Sequence, residues 1–242
     1  MARKRWKDEP WAERPEVLLE ELDRVYRQAI KLGKCVSPAQ TALKRIREFR
    51  GWGPGIPDAS LLQAIESMEV VYIPSGVGPG PGFMFPVRDM TGAIIRADVR
   101  MLDDAVYGYR YISLVNKERF VGPGWGGLDD ATMEGIIQTR TVLLEEGPFD
   151  ELACRVAAPN LPTLAPLSKR LNDDHWEFLN ILGVKTIYVM FDNERNKRGT
   201  GAADLMTQRK DFEVIPLTCP AHDPSDALRS TTKFRALQFV LK

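Results

Sequence analysis

Acidic side chains follow three apolar segments in the last part of the chain. They are Glu146 after the first segment, Asp192 and Glu194 at the end of the second, and Asp223 and Asp226 after the third. Carboxylates crowded at one edge of a sheet repel one another unless divalent cations neutralise them. Hard oxygen ligands suit Mg²⁺ or Mn²⁺, with phosphate completing the coordination shell. The pattern therefore predicts a metal site for phosphoryl or nucleotidyl transfer.

The elements that position these carboxylates are expected to alternate between strand and helix. Apolar runs at TVLLEE, VKTIYVMFD and FEVIPLTC predict strands, and FDELACRVAA, DDHWEFLNIL and GAADLMTQRK predict helices between them. This order is typical of a mostly parallel sheet with crossover helices. In such a sheet, ligands bind at the carboxyl ends of the strands, where the three acidic groups would meet.

A simpler origin exists for some of these residues. Strand-to-helix junctions often carry aspartate only as a helix N-cap, and this explains Asp223 or Asp226 taken singly. Capping explains three acidic groups on successive strands less well. Glu145, next to Glu146, is expected to be a surface residue at the strand edge and not a ligand.

The chain before residue 128 follows a different pattern. A polar start at residues 1–12 leads into apolar residues at helical spacing over 15–34. Ser37 and Pro38 are expected to begin a second helix, and Asp58 to cap a third. Short segments rich in β-branched and aromatic residues then predict strands, with DMTG as a hairpin turn. The predicted fold class is α/β, with a helical N-terminal region, a small mixed subdomain and the parallel sheet.

Composition limits the classes of function. The 242 residues carry no net charge, so any binding of nucleic acid must come from a local basic patch. Three scattered cysteines and two histidines argue against structural zinc and disulfides, and favour a reducing compartment. No run is long and apolar enough to span a bilayer, and the N-terminus does not resemble a signal peptide. We therefore expect no membrane partner and a location in the cytoplasm.

Several motifs, taken in order, resemble the catalytic core of bacterial-type (DnaG-like) DNA primases with its TOPRIM domain. LLEEGPFDELA is similar to the first TOPRIM motif, and YVMFDNERNKRGTGAADLM to the second. CPAHDPSDAL resembles the Asp-Pro-x-Asp stretch that closes the domain. Upstream, GFMFPVRDMTGAIIRADVRML and YRYISL resemble the basic subdomain of those primases. The resemblance implies an N-terminal tail and helix over 1–36, a basic subdomain over 37–127 and TOPRIM with a C-terminal helix over 128–242.

The resemblance also implies roles for the acidic residues. Glu146 matches a glutamate that acts as acid, base or metal ligand, and Asp150 matches a supporting aspartate. Asp192 matches the first residue of an Asp-x-Asp motif, and Glu194 stands in place of the second, which shifts the position of that ligand. Glu146, Asp192 and Glu194 are thus the expected catalytic residues.

The late acidic pair completes the expected site. Asp226 would join the three catalytic residues as a metal ligand, and Asp223 would support it. The implied cofactor is Mg²⁺ or Mn²⁺, with no zinc.

Basic residues of the middle region are expected to hold template or nucleotide. The candidates are Arg88, Arg96, Arg100, Arg110, Lys117 and, after the second acidic strand, Lys197. Alternation in AIIRADVR puts Arg96, Asp98 and Arg100 on one face of a strand. A solvated sheet face or loop is the alternative explanation for such charges.

The implied function is synthesis of short RNA primers on single-stranded DNA. The implied partners are the template, nucleoside triphosphates, and a helicase or separate initiation factor, in a bacterial or phage-infected cell. Two alternatives use the same residues differently. A TOPRIM nuclease would activate water instead of a hydroxyl, and a replication-associated binding protein would bind DNA without turnover.

Overall fold

The computed structural model describes residues 38–75, 81–92, 94–102, 110–113, 124–168, 170–192 and 209–242. The expected N-terminal tail, the helix over 15–34, the Ser37 cap and most of the helix at 201–210 lie outside these residues. Among the described helices, none has the length and apolarity needed to cross a bilayer.

Two helices and an antiparallel sheet form the first part of the described chain. The helices are α1 (Pro38–Arg50) and α2 (Asp58–Ser67); the strands are β1 (Val71–Ile73), β2 (Gly82–Arg88), β3 (Ile94–Met101), β4 (Tyr111–Ser113) and β5 (Trp125–Gly126). The strands pair in the order β1-β2-β3-β4, and β5 pairs with β2. The expected hairpin turn joins β2 to β3: the Gly92 N–H donates to the Asp89 carbonyl at 3.0 Å, and the φ of Gly92, 81°, favours glycine.

The second part is the expected parallel sheet. Its elements are α3 (Asp130–Thr139), β6 (Thr141–Glu145), α4 (Pro148–Ala157), β7 (Thr163–Leu164), α5 (Asp173–Ile181), β8 (Thr186–Met190), β9 (Glu213–Pro216), α6 (Pro224–Ala227) and α7 (Thr231–Val240). The strand order is β7-β6-β8-β9, and every neighbouring pair is parallel. All four strands therefore end at the same edge of the sheet.

Each face of the parallel sheet packs against a different set of elements. Because side chains alternate along a strand, Leu143 and Leu144 of β6 enter separate core clusters. Leu143 belongs to the larger cluster, which includes residues of α1, α2, α4, α7 and β2. Leu144 packs with residues of α3 and α5 and with Trp125. The larger cluster thus joins the antiparallel sheet and the first helices to the parallel sheet.

Aromatic rings concentrate at that junction. Phe149, in the first turn of α4, lies 4.9 Å from the ring of Phe85 and 5.7 Å from that of Phe83, both on β2. Its ring also lies 6.2 Å from Trp52 and 6.3 Å from Phe49. The first turn of α4 is therefore held between the two sheets, and the residue after Phe149 is Asp150.

Two local expectations were wrong. Glu145 is completely buried, because it ends β6 on the same face as Leu143 and α4 covers that face. Asp58 does not cap α2 but is its first residue, after Pro57 in extended conformation. The Asp58 carboxylate instead accepts hydrogen bonds from Arg47 of α1.

Candidate active site

A cleft of about 360 Å³ lies between the carboxyl edge of the parallel sheet and strands β3 and β4. Its acidic lining residues are Asp98, Glu146, Asp150, Asp192 and Asp223, and its basic ones are Arg50, Arg100 and Arg110. Tyr111 and Ser113 of β4 complete the wall on the antiparallel side. One cleft therefore brings carboxylates from the parallel sheet opposite arginines from the other sheet.

Three of the carboxylates are close neighbours. Oxygen atoms of Asp150, Asp192 and Asp223 all lie within 4.8 Å of one another. Asp150 stands in the first turn of α4, Asp192 lies just beyond β8, and Asp223 is the N-cap of α6. Each follows a different strand of the sheet, so the parallel topology brings them together.

The electrostatics of Asp150 show how strongly these groups interact. Burial raises the pKa of Asp150 well above its usual range, and the charges of Asp223 and Asp192 raise that pKa further. A hydrogen bond from the Ser225 N–H and the charge of Arg50 act in the opposite direction. A cation between the three carboxylates would relieve this repulsion.

The donor set fits a hard divalent cation. Carboxylate oxygens are the ligands that Mg²⁺ and Mn²⁺ prefer, and each of these three side chains keeps some exposure at the cleft, which leaves room for water or phosphate oxygens. Asp150, Asp192 and Asp223 are therefore the described residues best placed to hold a metal.

The ligand set expected from the sequence is arranged differently. Glu146 lines the cleft between β6 and α4, and Asp192 is one of the three clustered aspartates. Asp226 lies on α6 near His222 and Asp223 and forms an ion pair with Arg229 at 3.3 Å, away from the cleft lining. Asp150 and Asp223, expected in supporting roles, are the residues gathered with Asp192. Glu194 lies outside the described residues.

The basic wall is formed by Arg100 of β3 and by Arg110, the residue before β4. Arg100 is buried, and its Nη1 donates to the carbonyls of Met101 at 2.7 Å and Arg110 at 3.1 Å. Its guanidinium lies over the rings of Phe49 and Tyr111, at 5.3 Å and 5.6 Å from their centroids. Arg100 is thus held rigidly at the cleft.

The alternating charges of β3 share one face, as expected. Asp98 lines the cleft and accepts a hydrogen bond from the Ser113 hydroxyl at 2.6 Å. Arg96 forms an ion pair with Asp98 at 3.4 Å. Arg96 therefore does not line the cleft itself but pairs with Asp98, which does.

The other basic candidates lie elsewhere. Arg88 donates to the Gly92 carbonyl at 2.7 Å and to Glu69, so it is engaged at the β2–β3 hairpin and not at the cleft. Lys117 and Lys197 lie outside the described residues.

Sequence reasoning missed Arg50. It ends α1, lines the cleft, and its Nε donates to the Ser225 hydroxyl at 2.8 Å. A basic residue at the end of an amphipathic helix is ordinary, because it complements the helix dipole. Its partner is distant in sequence, so no local pattern could have identified this contact.

Comparison with known proteins identifies structures that share this fold. No family model and no curated protein sequence matches the chain. Solved structures do resemble it. The RNA polymerase domain of Mycobacterium tuberculosis primase DnaG superposes with a TM-score of 0.69 at 15% identity, over 94% of this chain and 83% of that one. The chain has the fold of a DnaG primase catalytic core.

Two further primase structures support the likeness. The zinc-binding and RNA polymerase domains of Aquifex aeolicus primase give a TM-score of 0.64 at 20% identity, over 93% of this chain and 60% of that one. A DnaG primase catalytic domain bound to single-stranded DNA gives 0.63 at 18% identity, over 92% and 78%. The expected α/β fold class and the resemblance to a primase core are confirmed at the level of the fold. The TOPRIM assignment and the domain boundary at residues 127 and 128 stay predictions.

Proposed function

We propose that this chain is a primase-type nucleotidyltransferase that synthesises short RNA primers on single-stranded DNA. The observation that carries the proposal is the cleft itself, in which clustered aspartates from three strand ends face arginines of the antiparallel sheet. A structure of the same fold contains bound single-stranded DNA, which supports the choice of template. The proposed product and substrates are those that the resemblance to primase cores implies.

Acidic and basic residues of the cleft have different proposed roles. Asp150, Asp192 and Asp223 would hold Mg²⁺ or Mn²⁺, which when bound lowers the pKa of an attacking hydroxyl and neutralises phosphate charge. Arg100 and Arg110 would bind the triphosphate or template phosphates from the opposite wall. Because Arg100 is already fixed by carbonyls and rings, it would bind without losing much side-chain freedom.

Glu146 is proposed to act on the reacting groups themselves. It lines the same cleft as the three aspartates, but its carboxylate does not belong to the cluster that they form. This position suits a proton acceptor for the primer hydroxyl or a ligand reached when nucleotide binds. Glu194 and Asp226 are proposed as further metal ligands, Glu194 because of the resemblance, and Lys117 and Lys197 are proposed to bind template or nucleotide because of their charge and their place in the sequence.

Primer synthesis tests the proposal directly. The protein is incubated with single-stranded DNA, labelled ribonucleotides and Mg²⁺ or Mn²⁺, with and without a pre-formed primer. We expect metal-dependent oligomers, and a loss of at least about 100-fold in Asp192→Asn and Glu146→Gln, because even outer partners of metal ligands contribute 10- to 100-fold. Asp173→Asn is the matched control, since that carboxylate is 95% exposed on α5.

Other outcomes would point elsewhere. If the template is shortened and no oligomers form, the protein is a nuclease that uses the same carboxylates and not a polymerase. DNA binding that survives both site variants, with no nucleotide consumed even on a pre-formed primer, would indicate a binding protein. Oligomers made equally well by Asp192→Asn would refute the assigned site.

A further inference from the structure

Ser225 connects the candidate metal site to the first part of the chain. It lies in α6, two residues after Asp223, and is completely buried. Its N–H donates to the Asp150 carboxylate at 3.3 Å, and its carbonyl accepts from the Trp52 ring N–H at 2.8 Å. Its hydroxyl accepts from both Nε and Nη2 of Arg50. Ser225 therefore links the loop that carries Asp223 both to Asp150 and to residues at the end of α1.

Arg50 is held in place on several sides. Its guanidinium lies over the Phe149 ring at 5.1 Å from the centroid. Its carbonyl accepts a hydrogen bond from Arg229 Nε at 2.9 Å, just after α6. Contacts of the side chain and of the backbone therefore both attach Arg50 to the α6 region, and the Phe149 contact attaches it to α4.

We propose that Arg50 is a positioning residue that, through Ser225, sets the geometry of the Asp150–Asp192–Asp223 cluster for its cation. The proposal rests on the metal site of the proposed function and adds a residue from α1 to it. Arg50 acts by fixing the start of α6, which presents Asp223, against the first turn of α4, which presents Asp150. Groups that orient metal ligands typically contribute 10- to 100-fold to metal affinity.

Charge and positioning predict opposite effects at Arg50. Its positive charge opposes a cation at the cluster, so a purely electrostatic role predicts tighter metal binding once the charge is removed. A positioning role predicts weaker binding even when the charge is kept. Variants that preserve charge therefore separate the two roles.

The test is Mn²⁺ affinity, measured by calorimetric titration of the protein without DNA or nucleotide. Ser225→Ala deletes one hydroxyl without changing charge, and Arg50→Lys keeps the charge but loses the planar fork of donors. We expect each to bind Mn²⁺ about 10-fold more weakly. The double variant should be hardly weaker than either single one, because both remove the same contact. Arg45→Lys on the exposed side of α1 is the control and should bind like the wild type.

The outcomes that overturn the proposal are distinct from failure of the proposed function. If both single variants fold, by circular dichroism and melting temperature, and bind Mn²⁺ as the wild type does, Arg50 does not position the site. Tighter binding by Arg50→Ala with unchanged binding by Ser225→Ala would assign Arg50 a charge role only. A wild type that binds no Mn²⁺ would refute both this inference and the metal site, whereas primer synthesis that persists with unchanged affinities would refute the inference alone.

Discussion

At the scale of the residue, the buried carboxyl of Glu145 is a group whose charge state is set by its surroundings. Burial raises the pKa of Glu145 well above its usual range, and the charge of Glu151 raises it further. The neighbouring Cys154 thiol and the charge of Arg155 act in the opposite direction. Glu145 is completely buried on the core face of β6, whereas its neighbour Glu146 lines the cleft. Glu145 is the last residue of β6 and Glu146 the first beyond it, so the two neighbouring glutamates have different environments.

Glu145→Gln should remove a pH dependence of stability. A carboxyl whose pKa is raised on folding stabilises the protein fully below its unfolded value, about 4.3, and that contribution is lost as pH rises toward the folded pKa. Relative to the glutamine variant, the wild type should therefore lose up to about 1.4 kcal/mol per pH unit within that window. Urea denaturation from pH 5 to pH 8 measures the difference. Parallel curves for the two proteins would show that the pKa of Glu145 is not raised on folding. Glu213→Gln, at an exposed position of β9, is the control.

At the scale of the element, α5 is held at its start by a capping box that contains a histidine. The Asn172 side chain accepts from the His175 N–H at 3.0 Å, and the His175 ring accepts from the Asn172 N–H at 3.3 Å. The ring packs edge-on against Trp125, at 4.6 Å between centroids. Burial lowers the pKa of His175 to about 4, because the charged form would lose its hydration.

His175→Gln should therefore flatten the acid side of the stability profile. In the wild type, the unfolded chain binds a proton near pH 6.5 that the folded protein binds only near pH 4, so stability falls as pH is lowered through this window. The full effect is about 3 kcal/mol. Glutamine can keep the capping box without titrating. The stability of the His175→Gln variant relative to the wild type should therefore increase as the pH is lowered from 7 to 4.5. Guanidinium denaturation at both pH values is the measurement, and an unchanged difference would show that His175 is not buried as described.

At the scale of the whole molecule, the ring of Phe149 joins the two sheets and the first helix. It is 3% exposed and contacts rings from α1, from the loop that follows α1 and from β2. The same turn of α4 presents Asp150 to the cleft. Packing between the two sheets and geometry of the acidic cluster therefore depend on one turn of helix.

Phe149→Ala should destabilise both parts of the molecule together. Removing a buried phenylalanine costs about 3–5 kcal/mol, and the cavity would lie between the sheets. We expect one cooperative thermal transition at a lower temperature than in the wild type. Circular dichroism and tryptophan fluorescence should report the same transition. Phe239→Ala, at a site 81% exposed, should change the unfolding free energy by less than about 0.5 kcal/mol. Two separate transitions in Phe149→Ala would show that the sheets fold independently.

Much of the parallel sheet and the order of its acidic groups was determined by the sequence alone. Strands β6 and β8 are short apolar runs followed by carboxylates, and Pro38 begins a helix as expected. These features depend on residues close together in the chain, so local periodicity and turn chemistry suffice to predict them. Sequence identity to the primase structures is only 15–20%. The order of the motifs was nevertheless enough to indicate the primase fold.

Only the tertiary structure decided which side chains meet. The sequence pointed to Asp226 as the ligand and to Asp223 as its support, but Asp223 as N-cap joins Asp150 and Asp192, whereas Asp226 pairs with Arg229. Likewise, the burial of Glu145 depends on how α4 covers β6, and the contact of Arg50 with Ser225 depends on how α1 packs near α6. Each of these outcomes is set by the direction of a side chain relative to an element distant in sequence, which local patterns do not encode.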